Sequence, residues 1–165
     1  MTSAYALDVM LKKLTAIILL LLASSAGCSE RGTSIEGQLL QNFRTALTEG
    51  SVALEESATF NVTIIGLSRT NEEKIRKDFF RPRKDDRILL VDVTYIEDHE
   101  PFRTIDGKEF ASEAKFEIIE WIDERTVIIS TSSHFNPIFG GGGTTKLQHN
   151  GEQWELVEVI KQFES

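Results

Sequence analysis

The chain has 165 residues, 18 Lys and Arg against 26 Asp and Glu, a net charge of −8, 41 % apolar residues and one cysteine. That length fits one domain. A single cysteine excludes an internal disulfide, 27 % charged residues beside so much apolar material argue against a largely disordered chain, and net acidity argues against a nucleic-acid binder, whose affinity for phosphates needs clustered positive charge.

Lys12 and Lys13 form a short positive segment, and the apolar run Leu14 to Ala23 follows directly. Ser24, Ser25, Ala26 and Gly27 are small, and Cys28 comes next. This order matches a secretory signal. Leu14 to Ala26 as a helix would span about 20 Å against roughly 30 Å of hydrocarbon, too short for a membrane anchor. Asp8 puts a negative charge where a signal is positive, so the sequence predicts that synthesis starts at Met10.

Ser25-Ala26-Gly27-Cys28 resembles the lipobox of bacterial lipoproteins, with Ser25 standing where Leu is commonest. The resemblance covers only these residues. It implies a signal peptide over 1–27, cleavage before Cys28, and diacylglycerol on the Cys28 sulfur with acylation of the new amino group. Ser29, where enterobacterial lipoproteins retained in the inner membrane carry Asp, implies the periplasmic face of the outer membrane. Loss of Lys12, Lys13 and Asp8 with the signal takes the net charge from −8 to −9. Residues 28–34 form a tether that reaches roughly 20 Å at most, so the domain over 35–165 works close to its membrane.

Ser34 is a good N-cap, and Ile35, Leu39, Leu40, Phe43 and Leu47 recur at helical spacing up to a stop at Gly50. Phe60, Val62, Ile64 and Gly66 alternate with Asn61, Thr63 and Ile65, which predicts a strand over 58–67. Thr70 or Asn71 caps a short second helix with Ile75 and Phe79 on one face, closed by Pro82. Ile88 to Ile96 reads as a strand with Leu89, Val91, Val93 and Tyr95 on one face. Lys115–Ile122 and Thr126–Phe135 form an expected hairpin around Asp123-Glu124-Arg125. Thr144–His149 and Glu152–Ile160 form another around an Asn150-Gly151 turn. The segment from Trp154 to Phe163 also carries helical spacing.

Helices first and strands afterwards predict an α+β fold, N-terminal helices packed on a curved antiparallel sheet of about five to six strands. In element order alone this resembles the cystatin-like and NTF2-like arrangements, which implies a sheet wrapped around a helix and a possible ligand cavity.

Chemistry is sparse. His99, His134 and His149 have no metal-ligand spacing, and no metal or cofactor is expected. Ser132 and His134 fall on one face of a strand, but there is no nucleophile elbow. Adjacent carboxylates such as Glu55-Glu56 and Asp85-Asp86 point to opposite faces of a strand and make no acid–base couple. Asp92 interrupts an apolar run and falls in phase with Thr94 on the solvent side. Gly140-Gly141-Gly142-Gly143 fails as a phosphate loop, since Thr145 stands where the second Gly is needed, and reads as a connection between strands.

One asymmetry stands out. Residues 69–87 hold eight Lys and Arg against five acids. Arg76, Lys77, Arg81, Arg83, Lys84 and Arg87 make a candidate interaction patch for anionic headgroups or an acidic partner. The expectation is a lipid-anchored envelope protein, not an enzyme, whose domain binds an envelope protein or a cell-wall component. The alternatives are a small-ligand or hydrolytic domain, or an immunity lipoprotein that neutralises an incoming toxin.

Overall fold

The computed structural model describes residues 34–53, 58–84, 88–97, 112–136 and 139–164. Cys28, Asp85, Asp86, Arg87 and His99 lie outside these residues. The element order is α1 (Ile35–Ala53), β1 (Ala58–Ile65), α2 (Glu72–Phe80), β2 (Ile88–Asp92), β3 (Ser112–Asp123), β4 (Thr126–Asn136), β5 (Phe139–His149) and β6 (Trp154–Glu164). One six-stranded sheet has the order β2-β1-β3-β4-β5-β6, and the fold is α+β.

Two expectations about layout are corrected. The sheet is mixed: β1 pairs in parallel with both β2 and β3, and only β3 to β6 run antiparallel. Nor do both helices precede the strands. α2 is the crossover that lets β1 and β2 lie parallel, a connection no hairpin can make.

α1 starts where the sequence places it. The Ser34 hydroxyl accepts the Gly37 N–H at 3.1 Å, the cap bond expected there. It runs past Gly50 to Ala53, because Gly50 and Ser51 are buried and tertiary packing carries the helix through the glycine. Its apolar stripe, Leu39, Leu40, Phe43, Ala46 and Leu47, is wholly buried together with Phe60, Val62 and Ile64 of β1 and Phe116 of β3. Phe43 stacks on Phe79 of α2 at 6.2 Å and tilts against Phe116 at 5.5 Å.

β2 is shorter than expected and shows its other face. Ile88 and Leu90 are buried, whereas Leu89 and Tyr95 are exposed. A run of consecutive apolar residues carries no period, so pairing with β1 decides the face.

The β3–β4 hairpin turns at Glu124-Arg125 as expected, and the Asp123 carboxylate accepts the Arg125 N–H at 2.8 Å. The last hairpin pairs His149 with Trp154, so its loop is 150–153 rather than Asn150-Gly151 alone. Asn150 organises that loop by accepting the N–H groups of Glu152 and Gln153 at 2.9 and 3.0 Å, and Gly151 takes a φ of 110°. Residues 154–164 are strand, and the glycine run lies inside β5, paired with β4 on one side and β6 on the other.

Five bulges interrupt the antiparallel strands. The extra residues are Ile119 and Ile122 in β3, Phe135 in β4 and Val157 and Ile160 in β6, and the side chains of those in β3 and β6 are exposed.

Candidate functional site

Three clusters of chemistry-bearing residues come out of this layout, and each is built by pairing between distant segments.

The first is the sheet face opposite the helices. Register places Asn61, Glu113, His134 and Gly140 in one cross-strand row. Thr63, Lys115, Ser132, Gly142 and Phe163 make the next row, and Ile65, Glu117, Ser130, Thr144 and Lys161 the one after. The glycines flatten it. A Cβ at Gly140 would collide with the His134 imidazole, and one at Gly142 would meet the Phe163 ring at 2.8 Å. His134 and Ser132 therefore share this face, as the sequence indicates, and both are half-buried. Asn61 is 2 % exposed; its amide donates to Glu113 at 3.3 Å, and its carbonyl oxygen has no partner among the described residues. The row offers an imidazole, a carboxylate and an amide in neighbouring register, a set suited to hydroxyl, amide or carboxyl groups of a ligand. Asn61 and Glu113 escape sequence inspection because 52 residues separate them.

The second cluster centres on Arg76. Its Nε donates to Glu72 at 2.9 Å, Nη1 to Asp92 at 2.9 Å and to Thr94 at 3.0 Å, and Nη2 to the Ile64 carbonyl at 2.7 Å and the Tyr95 hydroxyl at 3.3 Å. The guanidinium lies 4.9 Å from the Tyr95 ring centroid. Asp92 thus faces Arg76 and also accepts the Thr94 N–H and hydroxyl, at 3.1 and 2.7 Å. The Tyr95 hydroxyl donates to Glu72, and that bond, followed by Arg76, holds the Glu72 carboxyl below its usual range. The same bond raises the Tyr95 phenol. All five Arg76 donors are used within the protein, so this residue rivets α2 to the ends of β1 and β2.

The rest of the expected basic patch lines the outside of the helical layer. Lys77 and Lys84 are exposed, and Arg81 makes a 3.7 Å ion pair with Asp78. Arg83 donates to Gln41 of α1. Buried Arg44 donates to the Phe79 carbonyl at the end of α2.

The third cluster pins the start of α1. The Trp154 indole donates to the Ile35 carbonyl at 3.2 Å, and its ring meets His149 edge-on at 5.2 Å. The Gly151 N–H donates to His149 Nδ1 at 3.1 Å, which fixes the neutral tautomer whose Nε2–H donates to Gln38 at 2.9 Å. Burial, helped by Arg125, lowers the His149 pKa. His149 is a core residue.

Among the described residues no three of His, Cys, Asp and Glu gather as a metal site, and no helix is long and apolar enough to cross a membrane. No protein-family model, curated protein or solved structure matches the chain.

Proposed function

We propose that the protein is a lipid-anchored lipoprotein of the bacterial envelope, on the periplasmic face of the outer membrane, whose domain is a non-catalytic binding module. The observation that carries this is the position of the one cysteine: it follows the apolar run and Ser25-Ala26-Gly27, and it stands six residues before Ser34, which caps the first helix. Export, anchor and folded domain then follow one another with almost no spacer.

The glycine-flattened face over β3 to β6 is the surface we assign to the partner, an envelope protein or a cell-wall component. Ser130, Ser132, Thr144, Lys115 and Glu117 give it hydroxyls and both signs of charge, the composition of a wet, specific interface. The long helix on a bulged antiparallel run supports a curved sheet, since each bulge bends its strand. Kinship with cystatin-like or NTF2-like domains is a further proposal on that ground.

Mass analysis of the protein from its own envelope tests the anchor. Diacylglycerol on Cys28 is expected, and Cys28→Ser should move the chain to the soluble periplasmic fraction. An unmodified Cys28 in a chain that fractionates as soluble overturns the anchor. A photo-crosslinker at Ser132 should capture a partner that the same group at Lys77 does not. The Asn61–Glu113–His134 row favours a second reading, a hydrolytic domain. In that case Glu113→Gln and His134→Ala would abolish turnover of a cell-wall substrate while leaving its binding intact.

A further inference from the structure

The end of the domain at which the tether enters is also where exposed apolar and cationic side chains meet. α1 begins at Ile35, and Glu36 in its first turn accepts the Ser68 N–H at 3.0 Å. That bond brings the loop 66–70, with exposed Arg69, beside the tether entry. The start of α2 follows, and Glu72 binds the Tyr95 hydroxyl. Tyr95 is 73 % exposed and Ile96 55 % exposed. Both follow β2 in a turn closed by the Ile96 N–H on the Val93 carbonyl at 3.1 Å. α2 then runs alongside α1 in the same direction, from Ser68 beside Glu36 to Phe79 beside Phe43. Its outward face carries exposed Lys74 and Lys77 together with Glu73.

The Tyr95 ring covers the Arg76 guanidinium and its hydroxyl holds Glu72, yet most of the side chain faces water, and no packing among the described residues accounts for Ile96 exposed beside it. Tyrosine with an adjacent apolar residue and flanking cations is the composition of a membrane interface. A charge more than a Debye length from the bilayer, about 8 Å, gains little from anionic lipid. The five residues between Cys28 and Ser34 are few enough to hold the pole within reach. They are also long enough to let it lie flat.

We propose that this pole, formed by Arg69, Tyr95 and Ile96 with Lys74 and Lys77 of α2 beside it, docks on the anionic lipid surface to which the chain is tethered. Tyr95 and Ile96 enter the headgroup zone, and the cations meet lipid phosphates. Glu73, Glu97 and the paired Glu72 lie near the same surface, so the contact is modest in strength and depends on the tether for its local concentration. Docking orients the domain and leaves the β3–β6 face free. The inference rests on the lipoprotein assignment.

The test separates the two. The chain from residue 28 is coupled through its Cys28 thiol to a maleimide lipid in nanodiscs carrying spin-labelled lipid, which supplies the tether whether or not a cell acylates it. Amide line broadening is read at 68–70 and 94–96 and compared with 141–143. The expected result is severalfold greater broadening at the first two segments in phosphatidylglycerol nanodiscs, a smaller contrast in pure phosphatidylcholine, and loss of the contrast in the Arg69→Glu/Ile96→Ser variant. Equal broadening at all segments with anionic lipid, or a contrast unchanged in the variant, overturns the docking surface. Finding Cys28 unmodified in the native envelope overturns the anchor assignment instead.

Discussion

The Arg76 side chain is 12 % exposed, and its five N–H groups all find acceptors on α2, β1, β2 and the turn after β2. Burial works against that charge, and the hydrogen bond to Glu72 with the field of Asp92 outweighs it. Removing one partner of such a network leaves the other charges and the Ile64 carbonyl badly matched. Arg76→Met is expected to cost about 2–3 kcal/mol, the partial exposure of Glu72 and Asp92 having lowered the figure; a denaturant midpoint at unchanged slope measures it. A loss of a few tenths of a kcal/mol would mean that water replaces the guanidinium at no cost. His149 makes a pH prediction. Its pKa falls below the ordinary value of 6.5 on folding, so the unfolded chain binds more protons in the interval between the two. The stability is fully present above pH about 6.5 and is lost as pH falls through the lower native pKa. His149→Gln should flatten the stability profile across that interval while the steeper carboxylate loss at lower pH persists. An unchanged profile would show that His149 is not the titrating group.

At the scale of elements, β5 depends on glycine for a stated reason. A Cβ at Gly142 would run into the backbone oxygen of Thr131 and approach the Ser132 Cα at 2.8 Å, and backbone in a paired strand has nowhere to go. At Gly140 the obstacle is the His134 ring, which can rotate away. Gly142→Ala is therefore expected to destabilise by about 2 kcal/mol or more and Gly140→Ala by under about 1; the reverse order in urea denaturation would refute the register. Phe60, Val62 and Ile64 announce β1 by strict alternation, and Ser34 with Leu39, Phe43 and Leu47 announces α1. Ile88 to Val91 announces a strand without saying which face is buried. In β3 and β6, Ile119, Ile122, Val157 and Ile160 break the alternation because each is the extra residue of a bulge. The glycine run reads as a connection because glycine has low strand propensity, and only its two flanking strands overrule that. Cationic excess in residues 69–87 is legible as composition. The Arg76 rivet and the Asn61–Glu113–His134 row are not, because strand pairing brings their members together.

For the molecule as a whole, the first helix is held by the last hairpin. The Trp154 indole reaches Ile35 across 119 residues of sequence, and His149 reaches Gln38 across 111. Parallel pairing of β1 with β2 and β3 adds further non-local closure. Contacts of this kind are made only after long loops close, so the Trp154 and His149 bonds to α1 form once the β5–β6 hairpin is in place. A domain closed this way should open as one unit rather than shed its N-terminal helix. Trp154 is fully buried, 6.0 Å from Trp121 and against His149, and Trp154→Ala removes both packing and the indole donor. The expected cost is about 3–5 kcal/mol, a large share of the stability of a domain this size. Native-state hydrogen exchange tells a global loss from a local one. Amides of Leu39, Leu40 and Phe43 should lose protection by the same amount as those of Val127 and Ile129 in β4. If the helix amides alone lost protection, α1 would be a separately unfolding unit that detaches from the sheet while the sheet stays folded.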